Sequence, residues 1–308
     1  MTLSNDSLSR WAERLDTVTA RLSADFPGEG PDRQPVHTVY GGAHLFRADT
    51  AQKLGELALE SFGEWCPAAE NLAELVGLDG DLASLVHSRV REKLEREPVE
   101  DFRLDFEDGY GNRPDSEEDG HARSAAAQVA EGMERGSLPP FVGIRIKPLS
   151  GELYRRSLRT LDLFLTALVE AAGMLPGGLA VTLPKIQDVS QVGVIDEALS
   201  ELESKLEVDL IPVELMVETS QTVIDHDGTA GTRKFIDAGN GRVRGAHFGT
   251  YDYTAAMNIT AAHQTMTHPA CDFARHALQV SLAGTGVWIS DGATNVMPVP
   301  IHRGGDLN

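Results

Sequence analysis

Apolar positions along this chain follow two alternating periods. Leu8, Trp11, Leu15, Val18 and Leu22 recur at helical spacing between Ser7 and Asp25, which predicts an amphipathic helix packed ahead of the main fold. Pro27 to Pro35 is rich in Pro, Gly and Asp and reads as a linker. Val36–Tyr40 is then a short strand running into Gly41-Gly42-Ala43-His44. Thr50 caps a helix with Leu54, Leu57, Ala58 and Phe62 on one face, and Asp81 caps another with Leu82, Leu85, Val86 and Leu94. Strand-like runs follow at Phe102–Phe106, Phe141–Ile146, Leu179–Leu183, within Leu210–Ser220 and within Gly241–Phe248, and at Val287–Ser290. Between them lie helical runs at Ala122–Met133, Leu153–Val169, Val189–Leu206, Thr232–Ala238 and Phe273–Leu282.

Strands and helices alternating at this spacing give a parallel sheet covered by helices. No GxGxxG fingerprint and no P-loop marks a nucleotide fold, so six or seven βα units argue for a closed α/β barrel, the (β/α)8 TIM barrel, with Asn295–Val299 as an eighth strand. The expected organisation is an N-terminal helix and linker over residues 1–35 and a single barrel domain over residues 36–308.

Composition narrows the partners. The 308 residues carry 27 basic and 47 acidic side chains, a net charge of −20, which disfavours nucleic acid or an anionic membrane because phosphates are repelled. Cys66 and Cys271 are the only cysteines and lie far apart, so there is no disulfide framework or CxxC metal pattern, and a reducing cytoplasm fits. The N-terminus lacks a basic start and an apolar export segment, and no apolar run reaches spanning length. The expectation is a cytoplasmic protein that acts on a small molecule.

Strand ends supply the chemistry. In a parallel barrel the residues just past each strand's C-terminal end share one mouth. Here those residues are His44, Glu107 and Asp108, Arg145 and Lys147, Lys185, Glu218, and Asp252. Glu218 and Asp252 offer hard oxygen ligands for a catalytic Mg²⁺ or Mn²⁺, with room for water and substrate; each also suits a plain helix N-terminus. The planar fork of Arg145 matches a substrate carboxylate, and pairing with Asp105 or Glu107 would fix its direction. Glu107 or Asp108 is placed to act on bound water or as a base. Lys185 beside so many carboxylates suits electrostatic service better than a Schiff base. Gly249 and Thr250 join Arg145 and Lys185 as expected substrate contacts. His44 reads as a loop residue or a proton shuttle, and His247 alternates away from the mouth.

The segments DFEDGYG, GIRIKPL, TLPKI, ELMVETS, HFGTYDYT and ARHALQVSLAGTGVWISDG resemble, in order over residues 36–292, the strand ends of the HpcH/HpaI aldolase and citrate lyase β-subunit-like family. The resemblance implies a TIM barrel, a Mg²⁺ held by Glu218 and Asp252, a substrate carboxylate held by Arg145, and a homo-oligomer. It also implies carbon–carbon bond cleavage or formation beside a metal-stabilised enolate of a 2-oxo or 3-hydroxy carboxylic acid. Lys147 stands where the family has asparagine, which implies an unusual substrate. Glu107-Asp108, in place of the aldolase branch's histidine, sides with the lyase branch. The short tail counts against handling of coenzyme A. The alternatives are an acyl-CoA lyase or thioesterase, for which only Arg103, Arg113 and Arg123 offer scattered basic groups, and a non-catalytic barrel that binds a small acid.

Overall fold

A computed structural model describes residues 2–294. The long helix α1 (Asn5–Asp25) precedes the body. The chain continues through β1 (Thr38–Gly42), α2 (Thr50–Trp65), α3 (Ala69–Val76), α4 (Gly80–Arg96), β2 (Asp101–Asp105), α5 (Asp115–Arg135), β3 (Phe141–Arg145), α6 (Tyr154–Ala172), β4 (Leu179–Leu183) and α7 (Val189–Leu206). Next come β5 (Val213–Val217), α8 (Ser220–Val223), α9 (Gly231–Asp237), β6 (Val243–Phe248), α10 (Thr250–Ala256), α11 (Pro269–Leu282) and β7 (Trp288–Ser290). All strand pairs are parallel, in the order β1 to β7 along one curled sheet.

Strict alternation explains why the inner face of the curled sheet is polar and its outer face apolar. In β2, Asp101, Arg103 and Asp105 share one face and Phe102 and Leu104 the other. The inner face holds Arg103, which reaches both Asp101 (2.8 Å) and Glu214 (2.7 Å) with no solvent exposure. Outward-facing Leu104, Ile144, Val181, Leu183 and Leu215 pack under Ala122, Ala126, Val129, Leu161, Leu165, Val192 and Ile195 of α5, α6 and α7. Gly143 is required opposite Arg103: a Cβ there would meet the Ala180 carbonyl and the guanidinium.

Three expectations change. Among the described residues the seven strands form a curled half-barrel and not the expected closed barrel, because β1 and β7 do not pair, and the proposed strand Asn295–Val299 lies outside the described residues. Helix α1 is not packed on the body: none of its residues is buried. Nor do Leu54 and Leu57 face the core, since α2 buries Ala51 and Gly55 instead, the latter so close to Pro98 that a Cβ would not fit. Helices α3 and α8 were not anticipated. Both are short, and short helices carry too few turns to show a period.

Candidate active site

Pairing register builds the first half of the site. Asp105 on β2 stands beside Arg145 on β3, so the carboxylate takes Nε (2.8 Å) and Nη2 (2.5 Å) of the guanidinium side-on. The ring of Tyr40 on β1 lies 4.9 Å from the same guanidinium, which leaves Nη1 directed at Glu107 Oε2, 3.4 Å away. Burial alone would lower the pKa of Arg145, but Asp105 and Glu107 outweigh it and keep the guanidinium firmly charged. Asp105 also accepts from the N–H groups of Glu107 (2.9 Å) and Gly109 (2.7 Å), fixing the loop that carries Glu107 and Asp108.

Lys185 organises the second half. It sits just past β4 in the left-handed region at φ +50°, an uncommon conformation for a residue with a Cβ. Its N–H donates to Glu218 Oε1 (2.6 Å), while its ammonium contacts Glu107 and lies 3.3 Å from both Asp108 and Asp252. Gly249, at the end of β6, packs against Glu218: a Cβ there would lie 2.6 Å from Glu218 Oε2. These strand ends therefore hold Glu107, Asp108 and Asp252 around one ammonium, with Glu218 on the backbone N–H of the same lysine.

Electrostatics in this cluster are unbalanced. Burial, and then the charges of Asp252 and Glu107, push the Glu218 carboxyl up to about 7 against the pull of Lys185. Burial likewise raises Glu107, while at Asp108 the effect of burial is overcome by Lys185 and Arg145, so that group is lowered. Lys185 itself is raised: burial opposes its charge, but Glu107, Glu218 and Asp252 hold the proton. Five carboxylates, counting Asp105, thus surround two cations.

Other candidates lie elsewhere. Thr250 is buried, with its hydroxyl close to Gly292, just past β7, and without a hydrogen-bond partner. Lys147 turns outward to the Phe106 carbonyl (2.6 Å) and to Glu118 of α5 (3.0 Å), a structural tie. His44 packs on Tyr110 and His121, and burial lowers its pKa. His247 lies inside the lumen, its Nε2 2.9 Å from Glu214 and its Nδ1 3.3 Å from the Tyr40 hydroxyl. Arg103 is buried in the lumen, and Arg113 is paired with Glu117 (2.6 Å). Sequence reasoning missed Tyr40. Its inward parity with Thr38 was the available signal, but nothing local linked it to an arginine two strands away.

The donor set fits a hard divalent cation. Among the described residues no three His, Cys, Asp or Glu side chains form a metal shell by themselves. Two carboxylates completed by water and substrate oxygens is nonetheless the way Mg²⁺ is commonly held, and the buried Glu107 Oε2 has no hydrogen-bond partner. The excess negative charge at the rim favours a cation.

No helix among the described residues is long and apolar enough to cross a membrane. No curated protein matches the sequence. Among solved structures, malate synthase of Haloferax volcanii as its lead(II) complex aligns with a TM-score of 0.56 at 16% identity, over 86% of this chain and 64% of that one. Its magnesium/glyoxylate complex aligns at 0.50 and 16% identity, over 64% and 55%. A HpcH/HpaI aldolase/citrate lyase family protein from Burkholderia cenocepacia aligns at 0.47 and 11% identity, over 89% and 83%. The chain thus covers less than two thirds of the malate synthase and shares its fold. The model for a domain of unknown function, DUF6986, matches residues 15–306, and the chain belongs to that family.

Proposed function

We propose that this protein is a divalent-metal-dependent lyase or aldolase that breaks or forms a carbon–carbon bond in a small 2-oxo or 3-hydroxy carboxylic acid. The observation that carries this reading is the placement, on one rim, of the Glu218/Asp252 pair and an arginine whose inner edge is already clamped by Asp105. The solved malate synthase with magnesium and glyoxylate, itself a 2-oxo acid, lends support.

Arg145 binds the substrate carboxylate through its outer edge, where Nη1 looks toward Glu107. Tyr40 and Asp105 hold the guanidinium so that no rotamer search accompanies binding. A Mg²⁺ or Mn²⁺ held by Glu218 and Asp252 would supply Lewis-acid polarisation of the 2-oxo group. Lys185 stays an ammonium, which suits it to stabilising negative charge that develops on the substrate and not to Schiff-base attack. Glu107, raised by burial and next to both Arg145 and Lys185, exchanges the proton, with the more exposed Asp108 as its outlet toward solvent.

An acyl-CoA substrate is less well served, because Arg103 is enclosed and Arg113 is engaged by Glu117. Two free, buried cysteines suit work in a reducing cytoplasm. Calorimetric titration with Mg²⁺ or Mn²⁺, followed by glyoxylate, pyruvate or oxaloacetate, tests the proposal. Saturable metal binding that strengthens 2-oxo acid binding is expected; absence of metal binding would leave a non-catalytic acid-binding barrel.

A further inference from the structure

Helix α1 is fixed at one end and bare along its length. The Asp25 carbonyl accepts from Arg233 Nη1 (3.4 Å), the Phe26 ring lies 5.2 Å from that guanidinium, and the Gly28 N–H donates to the Gly284 carbonyl (2.8 Å). Beyond this anchor none of its 21 residues is buried. Leu15 is 62% exposed and Leu22 47%, and Leu8, Trp11 and Val18 complete one stripe at helical spacing. By the same spacing Arg10, Arg14 and Arg21 border that stripe along one edge, and Asp6, Glu13 and Asp16 fall on the far side. So long an apolar stripe is costly to leave in water.

A second bare surface carries the complementary pattern. Leu57, Trp65, Leu75, Val76, Leu82 and Leu85 of α2, α3 and α4 are all exposed, Trp65 at 68%. Glu56, Glu60 and Glu64 run as an i, i+4, i+8 acidic row along the edge of the Leu57–Trp65 face of α2. An arginine-edged apolar helix matches an acid-edged apolar surface in hydrophobicity and in sign of charge.

We infer that α1 of one chain docks on the α2–α4 surface of a second copy, and that the second copy returns its own α1, making a two-fold dimer by exchange of arms. A 21-residue helix is about 31 Å long and a face about 10 Å wide covers about 300 Å². Two arms with their two receiving faces bury about 1,200 Å², the lower end of a stable specific interface. The surface lies outside the rim site, so the inference stands or falls independently of the catalytic reading.

Light scattering and sedimentation of the full chain test it. A dimer is expected for the wild type, and monomers for Leu15→Asp and for Trp65→Asp. Arg14→Glu with Arg21→Glu is expected to weaken dimerisation at least tenfold, and adding Glu60→Arg with Glu64→Arg to restore it. A monomeric wild type overturns the inference, as does a dimer that survives Trp65→Asp but not Leu15→Asp, the mark of α1 pairing with α1. Failure of the charge reversal to rescue overturns the assigned surface even if every single variant folds and dissociates.

Discussion

Glu218 shows what one residue's surroundings decide. Its folded pKa of about 7 lies above its ordinary 4.5, so the protonated acid favours the fold. That contribution is full below pH 4.5 and is lost as pH rises through about 7. The metal-free protein should therefore lose about 2–3 kcal/mol of stability between pH 5 and pH 8 from this group. Urea unfolding in a chelator should show the slope, and Glu218→Gln should flatten it while abolishing metal-dependent turnover; an equal slope in the variant would remove the assignment. At Arg145, the fork is divided between Asp105 and substrate, which an ammonium cannot reproduce. Arg145→Lys should raise KM by about tenfold or more with the fold intact. Steady-state kinetics decide it, and an unchanged KM would make the arginine purely structural. Lys185 illustrates the limit of reading residues singly: its type and position after Pro184 were legible, but its left-handed backbone and its place among four carboxylates were not, because they depend on three other strands.

Strands and helices were legible wherever the period was long and clean. DFRLD announces a strand with one polar and one apolar face, and β4 and α7 lie where the pattern places them. Polarity of the inner face needed the curl of the sheet, which brings Glu214 of β5 to Arg103 of β2. This buried pair makes a direct prediction. Arg103→Met leaves Asp101 and Glu214 without their shared cation in the lumen and should cost about 3–5 kcal/mol. Chemical denaturation measures it, and a loss under 1 kcal/mol would show that His247 and Arg244, the other partners of Glu214, suffice. On α2 the apolar pattern misled, since the residues with the strongest period face solvent and small Ala51 and Gly55 make the close contact.

Across the whole molecule, the division between arm and body has a measurable consequence. Removing residues 1–25 takes away a helix with no buried residue and, with it, only the Arg233 contact to the Asp25 carbonyl named above. In dilute solution, where association is absent, this should change the stability of the body by no more than about 0.5 kcal/mol. Removing residues 1–35 also strips Arg33 from Glu97 and Glu100 and Gln34 from Ile289, and should cost about 1–3 kcal/mol. Thermal and urea unfolding of the two truncations tell them apart; equal losses would mean that α1 packs on its own body.

By itself the sequence determined the βα alternation, the parallel sheet and the set of charged residues at strand ends, because these follow from local period and from the geometry of a strand. Only the tertiary structure decided which groups meet: Asp105 with Arg145 and Tyr40, and Lys185 with Glu218 and Asp252. Contact between residues far apart in sequence, such as Arg103 and Glu214, is set by sheet register and curl, and no local pattern encodes either one.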